Sequence, residues 1–367
     1  MIDINNKKVI IGLSGGVDSA VSMLLLRERG ANVEALHMTN WDDDDQYCSA
    51  AEDLQDAKKL CKQLSVPLHH VNFTKEYKEN VFENFLNEYK KGRTPNPDIL
   101  CNREIKFGVF KNHAERLGAE FIATGHYAKI KKDNGVLKLF KSKDKNKDQS
   151  YFLYAVEPIN LRNTIFPLAD ITKEEVRAIA QANGLINYKK KDSTGICFIG
   201  KRPFKEFLGS YIPSEPGNII DKDGTIVGKH DGLMFHTIGQ RQGLNIGGIK
   251  NGSGEPWYVS EKDLKNNSLI VVQGDHPSLY SRGIVITDES WIESSPVTKN
   301  SPVDHLECMV KVRYRQADQG CKLYLNEDER ITVLFNEPQR SVASGQSAVF
   351  YMGEQCLGGG IIDEIIK

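Results

Sequence analysis

The stretch Val9-Ile10-Ile11-Gly12-Leu13-Ser14-Gly15-Gly16-Val17-Asp18-Ser19 leads from an apolar, strand-like run into the helical stretch Val21 to Arg29. A glycine-rich turn placed after a strand and at a helix N-terminus offers free backbone N–H groups and the positive end of the helix dipole to a phosphate. No lysine follows the glycines, so this is not a Walker A loop, which sets a Lys on the β- and γ-phosphates; the dinucleotide fingerprint G-x-G-x-x-G fails as well. Gly12, Leu13, Ser14, Gly15, Gly16, Val17, Asp18 and Ser19 are therefore the candidate nucleotide-binding residues. Asp18 beside a polyphosphate is repulsive without a bridging cation, so Mg²⁺ is expected at this carboxylate.

Outward from the loop, strand-like segments near 9–13, 33–39, 68–73 and 120–124 alternate with helix-like segments near 20–29, 50–64, 75–91 and 103–117. Alternation of this kind implies a parallel sheet with helices on both faces, and ligands on such sheets bind at the carboxyl ends of the strands. Met38 and Gly125 fall at such ends and join the nucleotide set, Met38 as a surface for an adenine ring and Gly125 as a point of close backbone approach. The Ser14 to Ser19 loop resembles the S-G-G-x-D-S signature of PP-loop ATP pyrophosphatases. That resemblance implies that ATP adenylates an oxygen and releases pyrophosphate.

The expected fold class is α/β, a doubly wound parallel sheet of the PP-loop (adenine nucleotide hydrolase-like) type, followed by a small central domain and a C-terminal β-barrel. A chain of 367 residues exceeds what one hydrophobic core usually supports. After Cys197 glycines and turns accumulate, and from about Arg282 the segments Glu307 to Tyr314, Cys321 to Leu325, Ile331 to Phe335 and Ser347 to Tyr351 alternate as barrel strands do. The boundaries expected are 1–202, 203–280 and 281–367.

With 48 basic and 49 acidic residues the net charge of −1 excludes a global attraction to nucleic acid or membrane and leaves only local patches. No apolar run approaches the roughly 20 residues of a membrane span. Met1 to Asn6 lacks the charged and apolar regions of a signal peptide, so a cytoplasmic protein with no membrane partner is expected. Seven cysteines, odd in number and without a C-x-x-C pair, disfavour a zinc ribbon or a disulfide framework. Asp42 to Asp45 reads as an acidic solvated loop.

Two cysteines differ from the rest in their surroundings. Cys101 follows Thr94-Pro95-Asn96-Pro97-Asp98-Ile99-Leu100, where two prolines imply an extended loop and a helix is expected from Arg103. A helix N-terminus and Arg103 both favour a nucleophilic thiolate at Cys101, and Asp98 is placed to move a proton. Cys197 lies in Ser193-Thr194-Gly195-Ile196-Cys197-Phe198-Ile199-Gly200, a glycine-bracketed loop.

Along nearly its whole length the sequence resembles the bacterial tRNA-specific 2-thiouridylases. The resemblance rests on Gly12 to Ser19, Asn96-Pro97-Asp98 with Cys101, Gly125-His126-Tyr127-Ala128, Lys147-Asp148-Gln149-Ser150, Ser193 to Gly200, His236 to Arg241 and Val312-Arg313-Tyr314-Arg315-Gln316. It implies sulfur insertion at C2 of the wobble uridine in tRNAs for Lys, Glu and Gln. ATP with Mg²⁺ would activate the uridine, Cys197 would carry sulfur as a persulfide from a cysteine desulfurase or sulfur-relay protein, Cys101 would be the nucleophile and Asp98 the acid/base. An iron–sulfur cluster is not expected, because no third cysteine stands near the pair. The resemblance also implies tRNA contacts at Asn96, Pro97, Asp98, His126, Lys147, Asp148, Gln149, Arg313, Tyr314 and Gln346.

Two observations on the residues bear on RNA. Eight lysines between Lys129 and Lys147 against Asp133 and Asp144 leave a local excess of +6, enough to hold a phosphate backbone. Arg313 and Arg315 flank Tyr314 on an expected strand, which puts both arginines on one face. A chain ending near residue 280 is then expected to bind ATP and lose tRNA. Two other readings stay open here: a PP-loop synthetase acting on a small molecule, and an ATP-gated tRNA-binding protein without chemistry.

Overall fold

The computed structural model describes residues 2–41, 50–192, 199, 202–246, 254–299 and 304–367. Cys48, Cys197, Asp42 to Asp45 and most of the Ser193 to Gly200 motif lie outside the described residues. The first half runs β1 (Lys8–Gly12), α1 (Val17–Glu28), β2 (Asn32–Thr39), α2 (Ala50–Leu64) and β3 (Leu68–Asn72). Next come α3 (Thr74–Tyr77), a π-helical turn Lys78–Phe82 and α4 (Glu83–Lys90). Then α5 (Pro97–Leu100) passes through π-helical Cys101–Val109 into α6 (Phe110–Arg116), followed by β4 (Phe121–Ala123). A hairpin of β5 (Ala128–Asp133) and β6 (Val136–Lys141) precedes α7 (Pro158–Leu161), β7 (Thr164–Ile165), α8 (Lys173–Ala182) and α9 (Phe204–Gly209).

The parallel sheet has the order β3-β2-β1-β4-β7. Strand order reverses at β1, with β2 on one side and β4 on the other, and this switch point is where the Ser14 loop emerges. Val9, Ile10 and Ile11 are fully buried, as a strand covered on both faces must be. Val9 and Ile11 pack with Val17, Val21 and Leu24 of α1. Ile10 packs on the other face with Phe107 and Phe110.

The central region carries β8 (Gly217–Ile220), β9 (Ile226–His230), β10 (Trp257–Asp263) and β11 (Ser268–Gln273), in the order β10-β11-β8-β9. The last six strands are β12 (Tyr280–Trp291), β13 (Leu306–Lys311), β14 (Gln319–Leu325), β15 (Ile331–Arg340), β16 (Ser347–Met352) and β17 (Gln355–Ile366). They follow the order β12-β15-β14-β13-β16-β17, and pairing of β12 with β17 closes a barrel. The expected fold class is the one observed. Among the described residues no helix is long and apolar enough to cross a membrane.

Three expectations need correction. The helix leading to α6 begins at Pro97, not Arg103: Asn96 caps it by accepting the Asp98 N–H at 3.3 Å, and Pro97 occupies the first turn, where its missing N–H costs nothing. Residues 312–316 form a turn after β13, not a strand, closed by the Gln316 N–H on Arg313 O at 3.1 Å and by Gln316 Oε1 on the Val312 N–H at 2.9 Å. Arg313 and Arg315 are exposed on that turn, while Tyr314 packs on Phe152 with ring centroids 4.4 Å apart.

The third correction concerns how far the barrel stands alone: it keeps a core of its own, and one side of it also joins the core of the first domain. Strand β17 pairs with β6, so the β5–β6 hairpin extends the barrel sheet. The Tyr151 hydroxyl donates to Ser347 O at 2.9 Å, and Tyr154 Oη lies 3.0 Å from Ser347 Oγ, all buried. Val349, Tyr351 and Cys356 share one core with Ile99, Cys101 and Ile105. A chain ended at residue 280 is therefore expected to lose cooperative unfolding of its first domain. Tyr151→Phe, which removes one buried hydrogen bond, should cost about 1 kcal/mol. Thermal melts followed by circular dichroism check both, and a truncated chain melting as sharply as the full one would refute the shared core.

Candidate active site at the carboxyl edge of the sheet

The glycine loop owes its shape to its own residues. Gly15 has φ +78°, and a Cβ there would stand 2.8 Å from Asp53 O. Ser14 Oγ and Ser19 Oγ lie 3.2 Å apart, and Ser19 Oγ donates to Gly16 O at 3.1 Å. Gly16 is the N-cap of α1 and supplies no side-chain acceptor. The first-turn N–H groups of a helix capped in this way have no side chain competing for them, the condition for anion binding. Asn187 Nδ2 holds Gly15 O at 3.0 Å, and Lys190 anchors the neighbouring α2 through Asp53 at 2.9 Å and Asp56 at 2.7 Å.

Asp18 is not bare. Lys173 Nζ donates to its Oδ1 and Oδ2 at 2.7 and 2.8 Å, and Tyr127 Oη donates to Oδ1 at 2.8 Å. The same ammonium reaches Asp192 Oδ1 at 2.7 Å, while Lys147 and Arg177 bind Asp192 at 2.7 and 3.2 Å. Lys173 opens α8, whose start is set by a Thr172/Glu175 capping box. Burial works to raise the Asp192 carboxyl, but bonds from Lys147 and Lys173 outweigh it and hold it below the usual carboxylate range. This pairing stabilises the fold at neutral pH and is lost as pH falls through that lowered value. The cation missing after the glycines thus arrives from 155 residues along the chain.

Gly125, at the exit of β4, faces this loop: a Cβ there would be 2.9 Å from Ser19 N and 3.0 Å from the Asp18 carbonyl carbon. The close approach expected at Gly125 is made by the loop's own backbone. Met38, one residue before the end of β2, is half-buried against the core that holds Cys101.

His126 follows Gly125 and is buried between Phe107 and Phe166. Its Nδ1 is 2.8 Å from Thr124 Oγ1, and its Nε2 is 3.5 Å from Lys106 Nζ. Burial first, then the Lys106 charge, push its pKa well below the ordinary histidine range, so the ring is neutral. Asp98 sits one turn before Cys101 on α5. Burial raises its carboxyl above the usual range, and the Lys106 charge opposes that rise. Cys101 itself is 2 % exposed. Arg103, expected to act on the thiol, binds its neighbour Glu104 at 2.6 Å. A cavity of about 30 Å³ beside Asn96 and Pro97 has room for about one water, not a base.

The remaining RNA candidates are spread out. Asp148 is buried, accepting from the Ser142 N–H at 3.0 Å and Ser150 Oγ at 2.8 Å. Gln149 pairs with the Tyr127 backbone in both directions, at 3.0 and 2.7 Å. Gln346 Nε2 donates to Thr94 O at 2.8 Å and so ties the barrel to the arm that carries Asn96. Arg313 donates to Arg340 O at 3.2 Å and to Ser341 O. The lysine run is not a bare +6: Lys129, Lys138, Lys141, Lys143, Lys145 and Lys147 pair with Asp170, Asp133, Asp318, Glu175, Glu354 and Asp192. Five of these six partners lie outside the run, which is why a local charge count missed them.

Sequence reasoning missed Lys173, Asp192, Tyr127 and Lys106. The capping box at Thr172 was a readable signal for the start of α8, but no spacing links Lys173 to Asp18. Among the described residues no three His, Cys, Asp or Glu side chains are arranged to hold a metal ion.

Comparison with known proteins matches this architecture over its full length. The domain family described as tRNA methyl transferase HUP domain matches residues 7–201, the tRNA methyl transferase PRC-barrel domain residues 205–273, and the aminomethyltransferase beta-barrel domain residues 281–362. The chain is 56% identical to the tRNA-specific 2-thiouridylase MnmA of Haemophilus influenzae, covering 98% of this chain and 94% of that one. It is 55% identical to the MnmA proteins of Pseudoalteromonas translucida and Salmonella arizonae, again over 98% of this chain, and over 98% and 97% of theirs. The chain belongs to the MnmA family of tRNA-specific 2-thiouridylases. It is a sulfurtransferase whose substrate is tRNA, and its PP-loop fold fits the use of ATP.

Lys173→Met would leave Asp18 and Asp192 facing each other without their shared cation. Breaking a mostly buried pair in this way is expected to destabilise the protein by about 3 kcal/mol. Denaturant unfolding at pH 7 measures this, and a midpoint equal to wild type would show that the ammonium is dispensable.

Proposed function

We propose that the protein thiolates C2 of the wobble uridine in tRNAs for Lys, Glu and Gln, in an adenylation step followed by a persulfide step. The observation that carries this reading is the helix N-terminus of the Ser14 loop, free of a side-chain cap, set at the switch point and connected through Gly125, His126 and Lys106 to the Asp98–Cys101 turn. The three parts proposed to share this work are 1–202 for catalysis, 203–280 as a central domain, and 281–367 for tRNA.

Uridine O2 is a poor leaving group, so its lone pair attacks the α-phosphate of ATP and pyrophosphate departs with the broken bond's electrons. The first-turn N–H groups at Gly16 and the hydroxyls of Ser14 and Ser19 receive that pyrophosphate. Lys173 supplies positive charge. A Mg²⁺ delivered with ATP would be held at the Asp18 carboxylate and would offset phosphate charge there.

Sulfur arrives on Cys197 as a persulfide from a cysteine desulfurase or relay protein. The Cys101 thiolate attacks Cys197 Sγ, hydrosulfide leaves with the S–S electron pair, and a Cys101–Cys197 disulfide remains. Hydrosulfide adds at C2 and AMP departs with the C2–O electrons. Asp98, whose carboxyl burial raises above the usual range, takes and returns the proton. A dithiol reductant then returns the disulfide to two thiols.

Labelled sulfur offered by a cysteine desulfurase checks the roles of the two cysteines. Cys197→Ser is expected to take up no label, and Cys101→Ser to load sulfur but form no 2-thiouridine. Label retained on Cys197→Ser and lost on Cys101→Ser would reverse the assignment. Full thiolation by the double variant would end it.

A further inference from the structure

Lys106 stands apart from the other lysines around the site. Lys147, Lys173 and Lys190 each bind at least one carboxylate within 3 Å. Lys106, on the π-helical turn Cys101–Val109 and half-buried, makes no ion pair among the described residues. Its one hydrogen-bond contact there is His126 Nε2 at 3.5 Å. A neutral His126 that donates from Nδ1 to Thr124 Oγ1 accepts at Nε2, so it orients the ammonium without neutralising it, and two ammonium hydrogens stay available.

The position of this charge is informative. His126 is the residue after Gly125, which abuts the backbone of Asp18 and Ser19. On its other side Lys106 acts on the Asp98 carboxyl, one turn from Cys101. A cation that makes no ion pair among the described residues, set between a pyrophosphate-binding loop and a nucleophile turn, meets the demand of one group in the reaction proposed above: the phosphoryl group that must belong to both. An ammonium held in place before the reaction, where charge will develop, is the most effective form of stabilisation available to phosphoryl transfer.

We propose that Lys106 is a further catalytic residue of this site and that its ammonium binds the α-phosphate of ATP, with His126 as its positioning residue. As uridine O2 bonds to the α-phosphorus and the bridge oxygen leaves with pyrophosphate, Lys106 neutralises the non-bridging oxygens. It does so again when the C2–O bond breaks and AMP leaves carrying that bond's electrons. No proton is transferred by Lys106 in either step. This inference rests on the adenylation reading above.

The test compares wild type, Lys106→Met and Lys106→Arg in full-length protein, with tRNA and ATP labelled at the α-phosphate. Single-turnover formation of AMP-bound tRNA is followed, together with sulfur loading on Cys197, tRNA affinity and the melting temperature. Lys106→Met is expected to slow adenylation by 10²- to 10³-fold, with sulfur loading, tRNA affinity and melting unchanged within twofold or about 2 °C. Lys106→Arg should recover at least tenfold of the loss, since a planar cation still meets a phosphate. An adenylation rate in Lys106→Met within threefold of wild type overturns the proposal. So does a loss explained entirely by weaker tRNA binding, which would make Lys106 a backbone contact, or a loss that Arg fails to recover. If wild type itself forms no AMP with tRNA, the adenylation reading fails first, a result separable from any effect of Lys106.

Discussion

One ammonium group ties the carboxyl edge of the parallel sheet together. Lys173 lies between Asp18, in the first turn after the glycine loop, and Asp192, the residue that leads into the segment carrying Cys197. Without it the Asp18 and Asp192 carboxylates would lose the one cation they share. With it, Tyr127, Lys147 and Arg177 complete a network that connects the exit of β4, the Lys147 loop and α8. The glycine loop is thereby held with its N–H groups open, and its carboxylate is already neutralised before a polyphosphate approaches.

The second constraint is the barrel. Its strands β16 and β17 close over Tyr151 and Tyr154, and its Gln346 side chain holds Thr94 two residues before Asn96. The turn bearing Asp98 and Cys101 is thus supported from the far end of the chain. A region expected to grip RNA also sets the position of the turn bearing Asp98 and Cys101, and the two roles are compatible because the exposed Arg313 and Arg315 lie on a different loop, after β13.

What the sequence disclosed was local. The Ser14 to Ser19 loop, the strand–helix alternation and the barrel strands follow from periodicity and glycine placement, which are short-range properties. The start of the helix at Pro97 was also readable, because an Asn N-cap followed by Pro is a start signal; the proline pair was read as a loop instead. The Asn134-Gly135 hairpin, with both residues at positive φ, carried a similar signal that the lysine count obscured. Lys173 on Asp18, Lys106 on His126 and the carboxylates that neutralise the lysine run come from distant segments, and no pattern along the chain encodes such pairings. Burial behaved likewise: Cys101, Asp148 and His126 lie in polar or loop-like sequence, yet the barrel and the aromatic packing enclose them.

The proposed chemistry starts from a glycine loop that lacks the γ-phosphate lysine and from a cation network that binds the carboxylates beside that loop. The most direct test is the nucleotide stoichiometry of a single thiolation cycle, using ATP labelled at the α- or γ-phosphate, persulfide-loaded protein and a substrate tRNA. One AMP and one pyrophosphate are predicted for each 2-thiouridine formed. ADP and inorganic phosphate in that ratio, or thiolation without nucleotide cleavage, would contradict the account.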